Sequence, residues 1–439
     1  MAGVVVDEER LTSKLRWNVI PFVFLLYVIA ILDRVNVGVA ALTMNKDLGI
    51  SATVFGTISG IFFISYFIFE IPSNAILYRV GARIWIARIM ITWGLVTVFQ
   101  GLARGAMDIG ILRFLLGAAE AGFFPGIVLY LTFWFPARSY ARAITLFATA
   151  VAIANIIGAP VSGWIVGNGG WLGLVGWRWV FILEGIPAVI LGVVTLFVLV
   201  DRPQKAKFLS EDEKKWLAAR LAAEHEARLK VVRVSEWGAL KNGWLWYFAV
   251  CYFGFVFGLY ALVFWMPQIV KGLSSSFSTT QIGFITAIPY ICAVISMVLV
   301  ANHSDKVMER RLHAGIPLIV AAVAALGLTM TENVVLSIIL LSVATMGIYT
   351  FLATFWTLPT AILGEAAAAV GIALINSVGN LGGFVGPFVI GFLADRTHTM
   401  SAGMYALAAI LLIAGILTMA VPKKHEEAVA KAPAVEPTT

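Results

Sequence analysis

The stretch Asp108–Pro136, DIGILRFLLGAAEAGFFPGIVLYLTFWFP, is apolar and long enough to cross a bilayer, yet it carries two opposite charges, Arg113 and Glu120. An ionisable side chain at the centre of a membrane helix costs roughly 2.5–3.5 kcal/mol on insertion scales, so it faces a partner or a wet cavity. Arg113 and Glu120 are two helical turns, or ~10 Å, apart and share one face. The residues around them are small (Gly117, Ala118, Ala119, Ala121, Gly122), which lets another helix approach closely. A charged, closely packed face describes a polar pathway better than a lipid anchor.

The rest of the chain fits that reading. Of its 439 residues 60% are hydrophobic and 13% charged, and the mean hydropathy is +0.93. Such a chain lacks the polar surface to cover itself in water. Its apolar runs are continuous rather than alternating, which points to membrane helices and away from a barrel. The first run, from Trp17, exceeds 20 residues and lacks a small-residue cleavage site, so it reads as a retained helix rather than a signal peptide. Cys251 and Cys292 fall inside apolar runs and offer neither a disulfide framework nor a thiolate metal site. No GxxxxGK[ST] loop occurs, and no histidine is placed to hold haem or a metal at membrane depth. The expectation is therefore no cofactor, no metal and no enzyme chemistry.

Twelve apolar segments predict an all-α protein: residues 1–200 as a first six-helix bundle, 201–243 as a linker, 244–421 as a second bundle and 422–439 as a disordered tail. The net charge of +7 invites a nucleic-acid partner, but the positions of the basic residues argue against one. Most lie in the loops on one side of the segments, including Arg79, Arg83, Arg138, Arg142, Lys306, Arg310 and the linker lysines. By the positive-inside rule both termini are cytoplasmic. Within the linker, Ser210 followed by Glu213 is a capping-box pattern opening an amphipathic helix on that face. The alternative, and the reading the sequence favours, is a solvated linker helix without a specific partner.

The two halves echo one another. Thr132–Pro136 (TFWFP) answers Thr354–Pro359 (TFWTLP), and Gly158-Ala159-Pro160 answers Gly386-Pro387. Gly and Pro at corresponding positions of two halves point to duplicated bundles with a site built on them.

Four charges carry the functional expectation. Asp33 and Arg34 lie ~24 Å along the first helix, at a depth comparable with Arg113, and Glu120 is deeper. An Asp33–Arg113 contact is geometrically allowed, which would turn Arg34 elsewhere. Burial disfavours a charged carboxylate and a nearby guanidinium restores it, so Asp33 and Glu120 are proton-carrier candidates. Arginine stays charged and grips a carboxylate bidentately, so Arg34 and Arg113 are anion-holding candidates. The competing reading makes all four interhelical ion pairs that fix packing. Candidate cavity residues are Tyr66, Asn155, Tyr260, Trp356, Asn376 and Asn380. Glu184 reads as a gate or capping partner of Arg178, and Glu70 as structural. The aromatic series of the seventh segment (Tyr252, Phe253, Phe255, Phe257, Phe264, Trp265) reads mostly as lipid-facing and packing material.

At these residues the chain resembles the major facilitator superfamily, and within it the anion:cation symporter family. The similar pieces are LDRVNVG (Leu32–Gly38), IPSN (Ile71–Asn74), RVGAR (Arg79–Arg83), RFLLGAAEAGFFPG (Arg113–Gly126), GWRWVFILEG (Gly176–Gly185), FWMPQIV (Phe264–Val270) and INSVGNLGGFVGP (Ile375–Pro387). The resemblance implies two six-helix bundles working by alternating access and proton-coupled import of a small organic anion such as a sugar acid, hydroxy acid or aromatic acid. It assigns proton coupling and carboxylate binding to Asp33-Arg34 and Arg113–Glu120. It implies a cytoplasmic latch of Arg79, Arg83, Asp305, Lys306 and Arg310, although Tyr78 stands where the superfamily has an acidic residue. The expected partners are an organic anion, protons and membrane lipid, and the expected setting is a monomer in a bacterial inner membrane. The alternatives are an organic-anion exchanger without proton coupling and a transport-dead sensor on the same scaffold.

Overall fold

A backbone in hydrocarbon must satisfy its own hydrogen bonds, and long apolar runs do so as helices. The computed structural model describes residues 6–231 and 242–422, and the described residues are helical with short connections. Part of the expected linker (232–241) and the tail from 423 onward lie outside the described residues. Among the described residues, twelve helical stretches are long and apolar enough to cross a membrane.

Contacts divide the chain into two compact units, residues 1–44 with 61–232 and residues 45–60 with 233–439. The helices of the first half are α1 (Glu8–Asp47), α2 (Ala52–Val80), α3 (Ala82–Gln100), α4 (Ala106–Glu120), α5 (Phe123–Thr132), α6 (Ala137–Ala148), α7 (Ala150–Asn168) and α8 (Gly176–Val198). After the connecting helix α9 (Glu211–Val231) come α10 (Gly243–Leu273), α11 (Thr279–Val307), α12 (Arg311–Leu328), α13 (Val334–Phe355), α14 (Thr357–Asn380), α15 (Gly382–Thr397) and α16 (Ser401–Met419). The stretch that the sequence marks from Asp108 to Pro136 is one candidate membrane crossing, Ala106–Thr132, with an interruption between α4 and α5.

In the first unit, α9 is held by specific contacts. Its capping box is formed, with Glu213 N–H donating to Ser210 Oγ at 3.2 Å and Ser210 N–H to Glu213 Oε2 at 2.7 Å. The same Glu213 carboxylate accepts from Lys14 Nζ of α1 at 2.8 Å, and Glu224 accepts from the Ala137 N–H at the start of α6 at 2.9 Å. The linker helix thus has partners, so the solvated alternative does not describe its N-terminal turns. At the start of α3, Asp201 accepts from the Arg83 N–H at 2.8 Å. A carboxylate from the end of α8's connection therefore caps the corner where Tyr78 replaces the acidic residue the family resemblance implies.

In the second unit, residues 45–60 pack with the later helices. Asp395 of α15 accepts from the N–H groups of Ala52 and Thr53, at 3.1 and 2.7 Å, and so caps α2. Phe55 meets Trp265 edge-on, and Trp265 Nε1 donates to the Pro387 carbonyl at 3.1 Å. These contacts favour the packing half of the reading of the α10 aromatics and correct the lipid-facing half: Tyr252, Phe255, Phe257, Phe264 and Trp265 are all buried. A span apolar on every face gives no period from which to tell protein from lipid, and here most of that face meets protein.

Candidate functional site: a buried charge cluster in the first unit

The cluster is assembled where α4 stops. Pro125 has no N–H to bond the carbonyl of residue 121, which weakens the turn, and the helix breaks there as Gly122 takes φ +85° in the left-handed region. A Cβ at Gly122 would also stand 2.4 Å from Ser73 Oγ. Glu120 is thereby the last residue of α4, immediately before the break. One turn earlier, Gly117 lets α2 come so close that a Cβ there would sit 2.2 Å from the Phe62 carbonyl oxygen. This is the close approach that the small residues predict, and it seats Phe62 beside the charges.

Arg34 of α1 forms an ion pair with Glu120, whose side chain is 1% exposed against 11% for Arg34. The Arg34 guanidinium lies over two α2 rings, Phe62 at 5.0 Å and Tyr66 at 5.5 Å. From α4, the fully buried Arg113 places its guanidinium 5.3 Å from the Phe62 ring and reaches the Arg34 carbonyl at 3.5 Å. One aromatic ring therefore lies within cation–π range of two guanidiniums. Glu120 Oε2 is buried without a hydrogen-bond partner, an acceptor left over in the middle of the cluster.

Asp33 does not take Arg113 as its hydrogen-bond partner. Its carboxylate is fully buried and accepts from Trp93 Nε1 of α3 at 2.8 Å, while it still feels the Arg113 charge. The pairing thus runs from Arg34 to Glu120, and a ruler of helix depth could not show this because it says nothing of helix rotation. Glu184 is also not the partner of Arg178. Arg178 donates to the carbonyls of Gly101 and Ala103 at 3.0 and 2.7 Å, and the buried Glu184 accepts from Ser162 Oγ at 2.6 Å. Sequence reasoning missed Phe62 and Trp93, because an aromatic in an apolar run carries no mark of the charge it will meet.

Of the cavity candidates, Tyr66 joins this cluster. Asn155 is buried, but its amide donates to the Val151 carbonyl of its own helix at 2.7 Å. The others belong to the second unit. There Tyr260 stacks on Phe264 at 5.8 Å, Trp356 meets Tyr252 at 4.8 Å, and Asn376 and Asn380 are half-buried on α14. Of the latch candidates, Arg310 pairs with Asp305 and donates to Ser304 Oγ at 3.1 Å, whereas Arg79, Arg83 and Lys306 present exposed side chains.

Two guanidiniums and two carboxyls on α1 and α4, buried against aromatic faces, suit the binding of a small anion. The Major Facilitator Superfamily profile matches residues 23–387 of the chain. The chain belongs to this superfamily of transporters. A putative tartrate transporter of Agrobacterium vitis is 49% identical over 422 residues, covering 96% of each chain. A putative metabolite transport protein, NicT, of Pseudomonas putida is 42% identical over 418 residues, covering 95% of each. The fold matches that of a bacterial homologue of the human lysosomal transporter Spinster, with a TM-score of 0.75 at 18% identity over 95% of this chain and 99% of that one. The protein is thus a multi-pass membrane transporter of the major facilitator fold and not an enzyme.

Proposed function

We propose that this superfamily transporter is an organic-anion:proton symporter of the anion:cation symporter family, importing a small carboxylate by alternating access. One observation carries the proposal: the buried Arg34–Glu120 ion pair. A substrate carboxylate that takes Arg34 must displace Glu120. A carboxylate left without its cation in low dielectric is costly, and a proton removes that cost. Binding of anion and proton are then linked at one arginine. Arg113 supplies the second guanidinium, and Phe62 and Tyr66 give the site an apolar wall. The two relatives of Agrobacterium vitis named as putative tartrate transporters support a carboxylate substrate. The loop bias of basic residues supports cytoplasmic termini, and with the relatives it supports a bacterial inner membrane; the working unit is a monomer. Import needs the proton because a membrane potential opposes anion entry by ~2.3 kcal/mol per charge per 100 mV.

The test is uptake by purified protein in liposomes across a panel of radiolabelled tartrate, sugar acids and aromatic carboxylates, with and without an inward proton gradient. The proposal expects at least one acid to accumulate only with the gradient. Homoexchange of an acid that is indifferent to the gradient would establish the exchanger instead, and binding without flux would establish the sensor.

A further inference from the structure

The charges buried in the first unit do not balance. Among the described residues of the first unit, four acidic or basic side chains are more than nine-tenths buried: Asp33, Glu120 and Glu184 against Arg113. Counting Arg34, at 11% exposed, the carboxyls still outnumber the guanidiniums by one. Glu120 has Arg34. The surplus falls on Asp33 and Glu184, whose hydrogen bonds come from neutral donors, the Trp93 indole and the Ser162 hydroxyl. Each also has one buried oxygen with no hydrogen-bond partner, Asp33 Oδ1 and Glu184 Oε2. The packing brings the two together: Gly94, next to Trp93, lies against Gly185, next to Glu184, so close that a Cβ at Gly94 would stand 2.8 Å from the Gly185 carbonyl oxygen, and Leu32, next to Asp33, lies against Gly158, one turn before Ser162. Asn36, one turn after Asp33 on α1, approaches Glu184 but falls short of hydrogen-bond geometry.

Two carboxylates in one low-dielectric cluster cannot both keep a full charge, and a shared proton is how such pairs settle. We propose that Glu184 is a second proton-holding residue, and that Asp33 and Glu184 together bind one exchangeable proton, separate from the Arg34–Glu120 pair. The proton comes from water, forms an O–H bond on one carboxylate oxygen of the pair, and leaves when that bond breaks. The other charged side chains of the cluster are Arg113 and Glu120 from α4 and Arg34 from α1. Arg178, on the same helix as Glu184, is committed to backbone carbonyls. The transport role of this proton rests on the symport reading above, but its existence does not.

The test separates the two. Infrared spectra of the purified protein in lipid, without substrate, are recorded as pH is raised. The proposal expects a carbonyl stretch from a buried protonated carboxyl that disappears with rising pH. That band is lost in Glu184→Gln and in Asp33→Asn, each of which removes the surplus charge, and kept in Glu184→Asp. A wild-type protein without the band, or a band surviving in both neutral variants, would overturn the proposal. Gradient-driven uptake then reads the transport role. If wild-type uptake ignores the proton gradient, the symport reading fails. If wild-type uptake follows the gradient and Glu184→Gln follows it equally well, only the role given to Glu184 fails.

Discussion

Phe62 lies within cation–π range of both guanidiniums of the cluster, at 5.0 Å from Arg34 and 5.3 Å from Arg113, and its ring faces offset part of their mutual repulsion. Arg34 is held by this ring, by Tyr66 and by Glu120 together, and a lysine ammonium lacks the planar, forked guanidinium that can meet aromatic faces and a carboxylate at once. Arg34→Lys should therefore weaken carboxylate binding by at least about tenfold, or roughly 1.4 kcal/mol, with the protein still inserted. Calorimetric titration with the best substrate of the panel checks this, and unchanged affinity would show that Arg34 does not clamp the anion. The charges themselves were legible, since Asp33, Arg34, Arg113 and Glu120 stand out in an apolar chain. Their pairing was not. Neighbouring helical residues point ~100° apart, so a small helix rotation decides whether Arg113 meets Asp33 or Arg34 meets Glu120.

The interruption between α4 and α5 is the element that presents Glu120. A side chain at Gly122 would have to adopt positive φ, which costs an L-residue roughly 1–2 kcal/mol, and would also strike Ser73. Gly122→Ala should lower the stability of the protein in detergent by about that much or more, as read by thermal unfolding. An unchanged midpoint would mean that the break relaxes freely. Length and hydropathy marked this span but not the break, because Gly-Phe-Phe-Pro inside an apolar run is read by a hydropathy window as more of the same. The connecting helix α9 supplies a second prediction at this scale. Partial desolvation pushes the Glu213 carboxyl up, but the Lys14 ammonium and the Ser210 hydroxyl and amide outweigh it and hold the group below its ordinary value. A lowered value in the folded protein means that docking through Glu213 is complete above the ordinary carboxylate range, about pH 4.3, and is lost as pH falls through the lowered value. A spin label at the exposed Ala219 should become mobile only below that range in the wild type, and should already be mobile at neutral pH in Glu213→Gln. Equal mobility in both proteins at neutral pH would show that the Lys14 contact does not hold α9. The capping box was legible from Ser210 and Glu213 alone. Lys14, some 200 positions away, could come only from the fold.

At the scale of the molecule, twelve hydropathic spans, two echoing halves and four buried charges carried the reading to a superfamily transporter. What sequence could not supply was the packing inside each unit, such as residues 45–60 associating with the later helices or the α10 aromatics turning inward, since both depend on neighbours distant in the chain. On the symport proposal, one arginine, Arg34, is shared between an incoming carboxylate and Glu120, and the proton taken up by Glu120 on displacement links the two flows. Glu120→Gln fixes that residue in its uncharged form. In proteoliposomes assayed side by side for gradient-driven accumulation and for counterflow exchange of the same labelled acid, this variant should lose accumulation and keep exchange. Accumulation driven by the proton gradient at the wild-type level in Glu120→Gln would contradict the claim.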